Sequence, residues 1–140
     1  MSSMKIAVAG ASGRMGKMLI ETIAAADDAR LTGALDIPQS AFLGTDAGLS
    51  LGKVTGVQIE SDFAKALADA EFLIDFTRPE GTLEHLKYCA EHGIKMIIGT
   101  TGFDDAGKAA IVEAAKKTAI MFSPNMSVGV NVTMKLLEMA

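Results

Sequence analysis

Three glycines follow a short apolar run in Lys5-Ile6-Ala7-Val8-Ala9-Gly10-Ala11-Ser12-Gly13-Arg14-Met15-Gly16, and a helical pattern begins directly after them. Glycines spaced G-x-x-G-x-x-G between a strand and a helix suit a pyrophosphate. The first turns the chain sharply, the second lets backbone N–H groups approach phosphate oxygens, and the third lets the helix pack closely on the sheet. The partly positive helix N-terminus then faces the anion. The motif predicts a dinucleotide held by Gly10, Ala11, Ser12, Gly13, Arg14 and Met15; a tight turn without a ligand is the plain alternative. Asp36 stands 20 residues after Gly16. A carboxylate there can accept hydrogen bonds from both hydroxyls of the adenosine ribose, although any turn can hold an aspartate. Ile37 follows, where a 2′-phosphate would need a cation. NADH is therefore expected to be favoured or at least accepted. NADPH stays possible through Arg14, which also reads as a solvated first-turn residue.

Two further stretches end predicted strands. Phe76-Thr77 and Gly99-Thr100-Thr101-Gly102 combine glycines, which admit a flat ring, with hydroxyls and amides able to fix a carboxamide. Helix capping by Thr77 and a tight turn at Gly99 to Gly102 are the structural alternatives, compatible with a ligand. His85 and His92 lie seven apart on one predicted helix, with no acidic or thiol cluster beside them, and read as solvated or partly packed rather than metal-binding. No metal site is expected. Cys89 has no local sign of activation and reads as a buried structural thiol. Ser12 lacks the G-x-S-x-G spacing of a nucleophile elbow.

The elements that must position these residues follow from apolar runs and helical spacing. Strands are expected at 5–9, 31–35, 57–59, 72–76, 94–98 and 119–122. The first helix begins near Arg14, with Met18, Leu19, Thr22 and Ile23 on one face. A short helix capped by Ser61 or Asp62 is expected to reach Ala70. Thr77-Arg78-Pro79-Glu80 has the T-x-x-E form of a capping box, opening a helix that stops at Gly93. Another helix, from Asp104 or Asp105, is expected to reach Lys117. Residues 37–56 read as a long loop with one helical turn around Asp46 to Leu51. Strands alternating with helices predict an α/β fold, a Rossmann-like doubly wound parallel sheet with helices on both faces.

The 140-residue chain is 49% apolar and 21% charged, with a net charge of −4. The charge offers no basic footprint for nucleic acid or an anionic membrane, so neither partner is expected. A lone cysteine fits a reducing compartment, and no apolar stretch approaches the ~20 residues of a membrane span. A cytoplasmic protein is the expectation. Val128, Val132, Leu136 and Met139 lie on one face of a last helix that no cap closes before Ala140. This reads as a dinucleotide-binding domain over 1–127, with 128–140 starting a linking helix towards a second domain of a longer protein.

In order and spacing, four runs resemble bacterial dihydrodipicolinate reductase, also called 4-hydroxy-tetrahydrodipicolinate reductase. They are Val8 to Gly16, Asp75-Phe76-Thr77-Arg78-Pro79-Glu80-Gly81-Thr82, Ile98-Gly99-Thr100-Thr101-Gly102-Phe103, and Ser123-Pro124-Asn125-Met126-Ser127-Val128-Gly129-Val130-Asn131. The first is shared with many nucleotide-binding proteins; the other three are specific. The resemblance implies an oxidoreductase of diaminopimelate and lysine biosynthesis, passing hydride from NADH or NADPH to a cyclic dicarboxylate. It implies that Gly10 through Met15 hold the pyrophosphate and Asp36 the ribose. Gly99, Thr100, Thr101 and Ser123, Pro124, Asn125 and Met126 line the nicotinamide end, and Thr101 also faces the substrate. The family often has arginine where Ile37 stands, which leaves NADPH preference open. Its E-x-x-x-H-H-x-x-K-x-D-x-P-S-G-T-A signature supplies the proton and grips the dicarboxylate from a second domain beyond Ala140. No catalytic residue is therefore expected in this chain, negligible turnover is expected from it alone, and a homotetramer is expected for the full-length protein.

Three other readings compete. A short-chain dehydrogenase or epimerase needs Y-x-x-x-K, but Tyr88 is the only tyrosine and His92 stands where the lysine should be. An acyl-phosphate or semialdehyde dehydrogenase needs a reactive cysteine, and Cys89 lies in mid-helix. The remaining rival is a non-enzymatic NAD-binding regulatory module.

Overall fold

Largely apolar runs build most of the strands, as suits strands covered on both faces. The computed structural model describes residues 3–123. Its six strands form one sheet in the order β3-β2-β1-β4-β5-β6. The strands are β1 (Met4–Ala9), β2 (Ala29–Leu35), β3 (Ile59–Glu60), β4 (Phe72–Asp75), β5 (Lys95–Ile98) and β6 (Ile120–Phe122). The order reverses beside β1, as in the expected Rossmann-like arrangement. The chain divides into two compact units, Met1–Leu73 and Ile74–Ala140. The expected last helix, and with it the boundary at residue 127, lies outside the described residues.

In the first unit β1 pairs in parallel with β2, and β2 with β3. Helix α1 (Arg14–Ala25) follows the glycine loop and buries Gly16, Leu19, Ile20 and Ile23. The expected stripe through Met18 is rotated: Met18 is 53% exposed, and Thr22 turns its hydroxyl onto the Met18 carbonyl. Gly16 causes the rotation. A Cβ there would stand 2.1 Å from the Gly10 carbonyl oxygen, so this glycine faces the loop and draws Ile20 and Ile23 inward with it. The register of β1 against β2 shifts between Ile6 and Ala7, skipping Thr32.

Residues 37–56 are an organised loop. Its one helical turn is a 3-10 turn at Leu49–Leu51. Asp46 ties the middle of the loop to its far end, accepting from the N–H groups of Gly48, Thr55 and Gly56 and from the Thr55 hydroxyl. These bonds lower its pKa from 3.8 to about 2. Gln58, expected within β3, instead bridges antiparallel to Asp46. Asp62 caps α2 (Phe63–Ala66) by accepting from Lys65 N–H at 3.1 Å. That helix stops short of Ala70; its Ala66 carbonyl oxygen fills the space where a Cβ of Gly33 would lie, 1.9 Å away.

In the second unit α3 (Pro79–His92) runs from β4 to β5 and ends at Gly93, whose φ of 70° places it in the left-handed region glycine favours. The expected capping box is absent. Arg78 is the N-cap, without a side-chain bond, and Pro79 opens the helix. Thr77 instead turns its hydroxyl to donate to the Asp75 carboxylate. Asp104 caps α4 (Asp105–Ala114) through the Gly107 N–H at 2.7 Å. Beyond Ala114 the chain tightens into turns, so α4 does not reach Lys117. β5 pairs in parallel with β6.

Candidate functional site

The glycine loop turns as its residue types require. Gly10 has φ of 70°, and Ala11 N–H donates to the Leu35 carbonyl while Gly13 N–H donates to that of Gly10. Gly13 is the N-cap of α1 and brings no side chain to cap this end. The first turn carries no acidic residue either. Backbone N–H groups at a helix start have no partner within the helix, so this terminus is suited to an anion. A Cβ at Gly13 would meet only the Gly10 carbonyl oxygen, at 3.3 Å. The glycine thus keeps free a cradle that a side chain would fill. Arg14 is exposed and Met15 half-buried beside it.

Asp36, directly after β2, is brought to this loop. One carboxylate oxygen accepts from Ser12 N–H at 3.0 Å and from the Ser12 hydroxyl, and the other accepts from Ile37 N–H at 2.9 Å. The acid and the loop, 24 residues apart in sequence, are one structure. Ile37 is exposed. Beside Ser12 lies a cavity of about 80 Å³, bordered by Lys17, Phe42, Asp46 and Ile59 among others. The Lys17 ammonium sits 5.8 Å from the Phe42 ring centroid.

In the second unit the ends of β4 and β5 are joined by a polar network. Asp75, wholly buried, accepts from Thr77 N–H at 3.0 Å and from its hydroxyl at 2.6 Å. Its other oxygen lies 2.6 Å from His85 Nδ1. Thr77 N–H also donates to the Thr100 hydroxyl, which lies 2.7 Å from that of Thr82. Gly99 N–H donates to the Asp75 carbonyl at 2.8 Å. A Cβ on Gly99 would stand 1.9 Å from the Phe76 ring, so the ring packs directly over this glycine. Thr101 is exposed, and Ser123 N–H donates to the Ile98 carbonyl.

The structure therefore gathers Gly10 to Met15 with Asp36 in one unit, and Phe76, Thr77, Gly99, Thr100, Thr101 and Ser123 in the other. Pro124, Asn125 and Met126 lie outside the described residues. His85 is partly packed in the strict sense, buried and hydrogen-bonded, while His92 is exposed, with its Nδ1 on the Tyr88 carbonyl. Sequence reasoning passed over Asp75. Its signal was an acid closing an otherwise apolar strand, Phe72-Leu73-Ile74-Asp75, followed by Thr82 and His85 three apart on α3. Cys89 is fully buried; burial, then the Asp75 charge, pushes its thiol up to about 12. Among the described residues no group of three or more His, Cys, Asp or Glu could hold a metal ion. No helix among them is long and apolar enough to cross a membrane.

The family described as dihydrodipicolinate reductase, N-terminus, matches residues 4–126. The 4-hydroxy-tetrahydrodipicolinate reductase of Janthinobacterium sp. (strain Marseille) is 77% identical over 140 residues, covering all of this chain and 52% of the relative. That of Cupriavidus pinatubonensis is 64% identical over 137 residues, covering 98% and 52%. The chain spans about half the length of the curated relatives it matches. A dipicolinate-bound dihydrodipicolinate reductase from Paenisporosarcina sp. TG-14 shares the fold, with a TM-score of 0.72 and 23% identity over 96% of this chain and 52% of its own. The WlbA dehydrogenase from Chromobactrium violaceum, in complex with NADH and UDP-GlcNAcA, shares it at a TM-score of 0.69, with 20% identity over 88% of this chain and 35% of its own. With 4–126 matched and relatives this similar across its length, the chain belongs to the dihydrodipicolinate reductase N-terminal family.

Proposed function

We propose that this chain is the cofactor-binding half of a 4-hydroxy-tetrahydrodipicolinate reductase, acting in diaminopimelate and lysine biosynthesis. The observation that carries the cofactor reading is the uncapped start of α1, opened by Gly13 and flanked by the Asp36 carboxylate. Gly10 through Met15 bind the pyrophosphate of NADH. Asp36 accepts the adenosine ribose hydroxyls, taking them in place of the Ser12 hydroxyl. Phe76, Thr77, Gly99, Thr100 and Thr101, with Ser123, Pro124, Asn125 and Met126, form the nicotinamide end, and Thr101 also faces the dicarboxylate substrate. Bound there, the dihydronicotinamide supplies a hydride. The proton donor and the grip on the dicarboxylate belong to the His and Lys signature expected beyond Ala140, in a full-length homotetramer. NADH is favoured or at least accepted, because Ile37 offers no cation to a 2′-phosphate, and NADPH stays possible through Arg14.

Titration calorimetry with NADH tests the site. Gly13→Val fills the cradle and should lower affinity at least about tenfold, roughly 1.4 kcal/mol; unchanged affinity would remove the pyrophosphate from this loop. The purified chain should also show no steady-state reduction of the cyclic dicarboxylate, and robust turnover would place the proton donor within residues 1–140.

A further inference from the structure

We propose that Asp75 and His85 are a positioning pair that sets the strand ends meeting the nicotinamide, and this rests on the NADH-binding reading above. Neither residue belongs to the set expected to touch the cofactor. Asp75 closes β4 with no exposure to solvent, and His85 lies on the buried face of α3 with 9%. Burying an acid is unfavourable unless it is paired and hydrogen-bonded. A buried acid–base pair is weak support for stability, since well-packed neutral residues often do as well or better. Its value here is geometric.

Among the described residues, every other bond the carboxylate makes runs to a residue just past a strand end. One oxygen holds both the N–H and the hydroxyl of Thr77, with the Thr100 hydroxyl 3.4 Å away. His85 occupies the other oxygen at 2.6 Å and so fixes the plane of the carboxylate. Thr82, one turn before His85 on the same helix, reaches the Thr100 hydroxyl. The backbone of β5 is tied in too, through Gly99 N–H on the Asp75 carbonyl. Phe76, Thr77, Gly99 and Thr100 are thus held by one buried node, and the peptide after Thr100 presents the exposed Thr101. Asp75 touches none of the reacting atoms in this scheme. It orients the groups that do.

The test compares NADH with ADP-ribose, which has the same pyrophosphate and adenosine but no nicotinamide. In the 140-residue chain, Asp75→Asn and His85→Gln should each weaken NADH binding about tenfold while changing ADP-ribose binding less than about twofold. The polarised emission of bound dihydronicotinamide should fall with them, reporting a looser ring. Thermal unfolding of each variant runs in parallel, with ADP-ribose binding as the check that the fold survives. Equal losses for both ligands, or a lower unfolding temperature with the NADH to ADP-ribose ratio unchanged, would make the pair merely structural and overturn the proposal. Wild-type chain binding the two ligands equally would overturn it while leaving the nucleotide site intact. Wild-type chain binding neither would overturn the cofactor reading itself.

Discussion

Two aspartates show what a single residue reveals before its neighbours are known. Asp36 announces itself through its distance from the glycine loop, because a dinucleotide imposes that distance. The structure joins it to Ser12, whose N–H donates to it at 3.0 Å. Asp75 announces itself only as an acid closing an apolar strand, because its partners are set by the sheet and by α3 packing, which no motif spacing records. Ile37 is the residue whose reading remains to be measured. It is 61% exposed directly after the acid, so a longer side chain meets no steric obstacle from the core. Ile37→Arg should strengthen NADPH binding relative to NADH by about tenfold, the scale of one charge-assisted phosphate contact. Parallel titrations of the two nucleotides check this. An unchanged ratio would mean that Arg14 or Lys17 reads the 2′-phosphate.

At the scale of elements, strand and helix order was legible because buried parallel strands leave apolar runs and helices leave a 3.6-residue period. Ends and faces were less so, and in each case a contact from afar decided. Thr77 was available to cap α3, but its hydroxyl is oriented by donating to the buried Asp75 carboxylate and Arg78 is the N-cap. The inward face of α1 was set by Gly16 against the Gly10 carbonyl, a contact that carries no hydrophobic signal. Loop 37–56 looked open because glycines and a proline interrupt it, yet Asp46 closes its second half. That closure has a pH dependence of definite sign. The folded Asp46 titrates at about 2 against an ordinary 3.8. Its contribution is therefore complete above the ordinary value and is lost as pH falls through about 2. The amide resonances of Thr55 and Gly56 should shift with a midpoint near 2; a midpoint at the ordinary carboxylate value would mean the loop is not anchored this way.

For the molecule as a whole, the two units divide the labour proposed for the cofactor. The first offers the anion cradle and Asp36, and the second offers the network around Asp75. The glycine-bearing strand ends of both were visible, whereas the Asp75 network and the division itself were not, since no linker or change of composition marks residue 73. The second unit also carries its own clock. Cys89, fully enclosed and held protonated with a thiol pushed up to about 12, is inert to an aromatic disulfide reagent until α3 comes away from its packing. The labelling rate therefore counts openings of this unit, without any introduced probe. If NADH grips the second unit as well as the first, a concentration of about 100 times Kd should slow labelling about 100-fold, because opening then requires release. ADP-ribose, lacking the ring, should leave the clock running at its original pace, so one native thiol separates a dinucleotide held at both ends from one held only by its phosphates.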